Sequence, residues 1–260
     1  MSNLTVRRFL TVAFLLLLPA VLLLKSVEGP LPTPPPAVES LSWSPAAHEI
    51  PQDLEPADDL FSSLNEPEPY DLALRAALLP PRGYLRCQLV AIPSFEPEWA
   101  IYLTREEGSA PRLGSRRLGS HLWAEMTSRI SDNGRRGGYS LGPEAQTAAL
   151  AELKIEVETS QAVVAVETAD VLETVWSRML EGVHYPGTPW GGEDGVRYRA
   201  SHWSRGLGFR SGQTWSPRDG SRPHALVKLA EQMAAFAHRP SREAELRLQE
   251  AADALLHRLK

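Results

Sequence analysis

Apolar side chains recur with a two-residue period in some parts of the chain and with helical spacing in others, and these rhythms outline a mixed domain over residues 81–260. Leu85, Cys87, Leu89 and Ala91 alternate with Arg86, Gln88 and Val90, and Trp99, Ile101 and Leu103 repeat the pattern. Two half-buried strands that pair with each other are expected. From Glu106 to Gly142 the chain is rich in glycine and arginine, and only Leu118 to Ile130 looks regular; that part reads as one more strand or a short helix in a long loop. Pro143 suits the first turn of an alanine-rich helix running to about Leu153, because its missing N–H costs nothing there.

Leu153, Ile155 and Val157 alternate before the polar Thr159, Ser160 and Gln161, with Val163, Val164 and Val166 beyond, which predicts a hairpin or one bent strand. A helix follows, with Asp170 and Glu173 as its cap and Val171, Leu172, Val175, Trp176, Met179 and Leu180 on one face. Gly182 ends it. Val196, Tyr198, Ala200 and His202 alternate with Arg197, Arg199, Ser201 and Trp203, and Leu207, Phe209 and Ser211 continue past Ser204-Arg205-Gly206, a second hairpin. Pro223 opens a helix after Ser221, with Leu226, Leu229, Ala230, Met233 and Phe236 inward; Pro240 stops it, and Ser241 caps a last helix carrying Leu246, Leu248, Ala252, Leu255 and Leu259. The mixed order of elements predicts an α+β domain of antiparallel strands packed by two or three helices.

Upstream the rhythm changes. Phe9 to Leu24 are apolar except Thr11, between Arg7-Arg8 and Lys25. As a helix this is about 24 Å long, and it spans a roughly 30 Å hydrocarbon core if the flanking cations snorkel. A cleaved signal peptide is the rival reading, but it needs a small-x-small site, and Leu18 precedes Ala20 by two while Pro30 follows Gly29. The preferred expectation is a signal anchor over residues 9–25, with residues 1–8 cytoplasmic because positive charge precedes the segment. Residues 26–80 read as a spacer: Pro30, Pro32 and Pro34 to Pro36 favour extended backbone, and every charge from Glu49 through Asp71 is acidic. A short helix from Pro69 to Leu79 closes it, with Tyr70, Leu72, Leu74, Ala77 and Leu78 available to the domain.

Composition narrows the classes of function. The chain has 260 residues, 43 % hydrophobic and 23 % charged, which fits one domain plus attachments. Its one cysteine, Cys87, excludes an internal disulfide. Setting aside Arg7, Arg8 and Lys25, the formal charge of −5 becomes about −8 for the rest, which opposes nucleic-acid binding. Arginine outnumbers lysine and alanine and proline are plentiful, as in GC-rich bacterial genes.

Three constellations could carry chemistry. Gly138-Tyr139-Ser140-Leu141-Gly142 matches the nucleophile-elbow spacing, but Asp132 to Gly137 cannot be the buried strand that motif needs. His184, Glu193, Asp194 and His202 lie close in sequence, in no recognisable zinc spacing. Trp190, Tyr198, Trp203 and Trp215 are interleaved with Arg197, Arg199, Arg205, Arg210, Arg218 and Arg222, and tryptophan and arginine most often anchor binding. The structural alternative is that the tryptophans fill the core while the arginines face water. The expectation is therefore a binding or scaffolding module of the bacterial cell envelope, single-pass in the inner membrane with its bulk outside. Tyr198, His202, Arg210, Gln213 and Trp215 form the binding set, and an envelope protein or an anionic ligand is the partner. No cofactor or metal is implied. The alternative is a small envelope hydrolase using His202 with Asp194, or Ser140.

Overall fold

The computed structural model describes residues 52–57, 68–137, 142–185 and 194–260. Among them, seven strands form one antiparallel sheet: β1 (Glu55–Pro56), β2 (Leu85–Pro93), β3 (Trp99–Thr104), β4 (Arg112–Leu118), β5 (Val157–Val163), β6 (Val196–Ser204) and β7 (Gly208–Trp215), in the order β1-β7-β6-β2-β3-β4-β5. Helices α1 (Pro69–Leu78), α2 (Leu122–Gly137) and α3 (Pro143–Ala151) cover one face, and α4 (Val166–Glu181), α5 (Arg222–His238) and α6 (Arg242–Arg258) the other. The domain is α+β with an antiparallel sheet, and six helices pack on it where two or three were expected. No helix among the described residues is long and apolar enough to cross a membrane; the segment 9–25 lies outside them.

The two expected hairpins are present, with Leu89 opposite Ile101 and Ala200 opposite Gly212. They join through β2 and β6, which pair Leu89 with Ala200. The central strands are buried on both faces, not half-buried. Cys87 and Leu89 meet α4 to α6, while Val90 and the equally buried Gln88 point toward the other layer. That second layer joins α1 and α3, both from stretches read as helical, to α2, from the stretch read as one more strand or a short helix in a long loop, where Leu122, Met126 and Ile130 recur every four residues and form the buried stripe.

The stretch assigned to the spacer contributes to this body. Leu54, beside β1, belongs to the core under α4 to α6, and Tyr70, Leu74 and Leu78 of α1 fill the opposite core. Strand β4 lacks apolar alternation because Gly114 leaves room for the Tyr102 ring, against which a Cβ would collide. Arg116 lies over that ring, 5.8 Å from its centre, and donates to the carbonyls of Ala77 and Leu79. Helix α4 begins at Val166, four residues before the expected cap. Asp170 instead pairs with Arg105 at 2.7 Å, and the Ala165 N–H at the helix start donates to Glu245 of α6. Ser221 and Ser241 cap α5 and α6 as expected, accepting from the N–H groups of His224 and Ala244.

Candidate functional site

Antiparallel pairing puts residues directly opposite one another on the same face, and this sorts the aromatic and cationic cluster of the second hairpin. Tyr198, His202 and Arg210 share the face of Ala200 and Gly212, beneath α4 to α6. Gln213 and Trp215 are on the other face, in register with Arg199 and Arg197. The pleat therefore divides the five residues between two environments.

On the first face the environment is packed. The Tyr198 ring meets Trp99 edge-on at 6.4 Å, and burial, then Glu231 and Glu96, pushes its hydroxyl pKa upward. His202 is buried, with Nδ1 3.1 Å from Ser204 Oγ. Burial, followed by the charges of Arg86 and Arg210, lowers its pKa to about 4. A histidine protonated near its ordinary value when unfolded but at about 4 when folded gives the unfolded chain more protons between those values. Its contribution to stability is present above the unfolded pKa and lost as pH falls toward the folded one. The difference in urea midpoint between wild type and His202→Gln should therefore shrink from pH 7 to pH 4, as about those limits imply; a pH-independent difference would show that His202 is not held neutral.

The other face carries an open cleft of ≈ 530 Å³. Its floor is a row across three strands, in which Ile92 pairs with Arg197 and Arg197 with Trp215. Its walls are the start of α1 with Glu68, Tyr70 and Asp71, the β2–β3 turn with Ser94 and Phe95, and the start of α2 with His121 and Trp123. Arg199 reaches Asp71 at 3.0 Å, joining residues 128 apart in sequence. The Arg197 guanidinium lies 5.8 Å from the centre of the Trp215 ring, a cation–π arrangement.

Behind the wall lies Glu98, with no solvent exposure. Its carboxylate accepts from Tyr70 Oη at 2.6 Å, Leu122 N at 2.9 Å and Trp123 N at 3.3 Å. It thereby satisfies N–H groups that the first turn of α2 cannot bond internally. Burial, then Glu98, drives the Tyr70 hydroxyl pKa far upward, so the hydroxyl stays a donor. The Tyr70 and Trp123 rings meet edge-on at 5.2 Å and 84°. Asp194 is held at the cleft mouth because Ser94 Oγ both donates to the Gly195 carbonyl, at 3.0 Å, and accepts from its N–H, at 3.1 Å.

This arrangement can grip, and among the described residues of the cleft no nucleophile is hydrogen-bonded to a base. Ser94 is engaged with the Gly195 backbone, and His121 Nε2 is 3.7 Å from Glu98, beyond hydrogen-bond length. His202 and Asp194, paired in the hydrolase alternative, do not share a pocket: His202 faces α4 to α6 and Asp194 lines the cleft. Ser140 and Glu193 lie outside the described residues, as does Trp190. His184 is exposed, with Nδ1 2.9 Å from the Gly182 carbonyl. Among the described residues no group of three or more His, Cys, Asp or Glu side chains is placed to hold a metal ion.

Sequence reasoning located Trp215, Arg197, Arg199 and Asp194 but not Glu68, Phe95, Glu98, His121 or Trp123, which come from separate segments. The signal for four of the second group was two isolated polar–aromatic pairs, Phe95 near Glu98 in the β2–β3 turn and His121 near Trp123 after β4. Comparison of the chain with protein-family models, curated proteins and solved structures finds no match.

Proposed function

We propose that this protein is a noncatalytic binding module of the bacterial cell envelope, tethered in the inner membrane through residues 9–25 and carried outward on the proline-rich, acidic segment that follows. The cleft holds a partner protein. The observation that carries this reading is the convergence of Trp215, Trp123, Tyr70 and Phe95 on one open cleft whose arginines are already positioned by Asp71 and Trp215. Aromatic and arginine side chains in a preformed concavity are the commonest anchors of a binding surface. With Glu68, Asp71 and Asp194 on its rim, the cleft favours an envelope protein over an anionic ligand.

In-cell crosslinking of the tagged full-length protein tests this. The same envelope protein should be captured by wild type and by Arg210→Ala, whose side chain is on the opposite face, and should be lost with Trp215→Ala. Capture that survives Trp215→Ala, in a domain that melts like wild type, counts against the cleft as the partner site. Extraction of the protein by alkaline carbonate would remove the anchor from the reading.

A further inference from the structure

Resting on the reading of the cleft as a partner site, we infer that it takes an extended, proline-rich segment of the partner flanked by a basic residue. Strand addition is closed along β2, paired with both β3 and β6, and along β6, paired with both β2 and β7, and β1 already takes the outer edge of β7 at Gly212 and Gln213. The ligand is therefore read mainly by side chains. The exposed rings of the cleft are Trp123, whose backbone N–H donates to Glu98 and whose ring meets the buried Tyr70 edge-on, and Phe95, which is 76 % exposed at the rim. A polyproline II segment matches such a shelf because it is already stiff, its rings offer flat apolar faces to aromatic side chains, and proline has no N–H to leave unsatisfied. Little conformational freedom is then lost on docking.

Charge decides the flank. Asp71 is paired with Arg199, whereas Glu68 accepts from the neutral Gln146 amide and Asp194 is exposed at the cleft mouth. Two carboxylates at the rim are thus available to a lysine or arginine of the ligand. A polysaccharide fits less well. Sugar hydroxyls need many open planar polar groups, and here Asp71, Arg199 and Ser94 are already bonded within the protein.

The test is fluorescence anisotropy with full-length protein in detergent and a fluorescein-labelled oligoproline peptide ending in arginine. Saturable binding is expected, about tenfold weaker for Phe95→Ala and for Asp194→Asn, and absent for the same peptide with its prolines replaced by glycine. Both substitutions sit at exposed positions and should leave the melting temperature unchanged, which circular dichroism verifies. Equal binding by wild type and both variants, equal binding of the glycine peptide, or binding of N-acetylchitotetraose in the peptide's place overturns the inference. If crosslinking through Trp215 captures a partner while the peptide fails to bind, the ligand class falls and the module reading stands. If the peptide binds and crosslinking captures nothing, the ligand class stands and the envelope reading falls.

Discussion

Glu98→Ala should destabilise the domain by about 3–5 kcal/mol, because it removes a buried acceptor and strands every donor that pointed at it. Three donors depend on that carboxylate: the Tyr70 hydroxyl and the N–H groups of Leu122 and Trp123. Alanine offers them no acceptor, and each buried orphan that water does not reach costs about 1–3 kcal/mol. Glu98→Gln keeps the shape and one acceptor oxygen but turns an NH2 group toward donors, so its cost should fall between wild type and alanine. Urea unfolding followed by circular dichroism measures both; a change below about 1 kcal/mol for alanine would mean that water or relaxation supplies the missing partners. The effect is not confined to stability. Tyr70 and Trp123 are wall residues of the cleft, so Glu98→Ala should also weaken partner capture under conditions where the domain is still folded.

Why Glu98 escapes a reading of the sequence is instructive. It stands just before β3, between Pro97 and Trp99, and nothing in its neighbourhood says that a helix N-terminus will arrive above it. The strands with regular alternation were legible because one period of two is enough to mark them, as in Leu85 to Ala91 and Val196 to Trp203. Strand β4 was not, since Gly114 and Arg116 are there to accommodate the Tyr102 ring, and that requirement arises only once β3 lies beside it. The same cause hid where the second helical layer packs. Val90 and Gln88 look like the solvent side of a strand until α1 and α2 cover them.

The cleft divides along the same line. Its sheet half, Arg197, Arg199 and Trp215, is concentrated in one hairpin and stands out as a cluster of binding residue types. Its helical half arrives from two distant helix starts and a turn, brought together by the Arg199–Asp71 pair and by Glu98. The hairpin cluster also mixed two populations, because a run of alternating residues does not say which face meets the ligand. Tyr198 and His202 went to the core and Trp215 to the cleft by the parity of the pleat alone.

Trp176→Ala should cost about 3–5 kcal/mol, similar to the alanine variant of Glu98, but by packing instead of stranded donors. Trp176 lies in the middle of α4 with no exposed surface, in the core formed with Leu89 and Ala200, and its indole Nε1 donates to the Gln88 carbonyl at 2.9 Å. Trp176→Phe separates the two contributions. It keeps most of the apolar volume and deletes the donor, so it should cost about 1 kcal/mol for the hydrogen bond plus the smaller void. If phenylalanine costs as much as alanine, the indole N–H outweighs the packing; if both cost under about 1 kcal/mol, α4 is not the keystone of that core. The comparison with Glu98 also tests the cleft. Trp176 is on the sheet face away from it, so Trp176→Ala should lower the urea midpoint while leaving partner capture by the folded fraction unchanged. Glu98→Ala should lower both. Two variants of similar cost that part company on capture would tie binding to the α1–α2 face; equal loss of capture would mean that binding follows global stability and would leave the cleft without a special role.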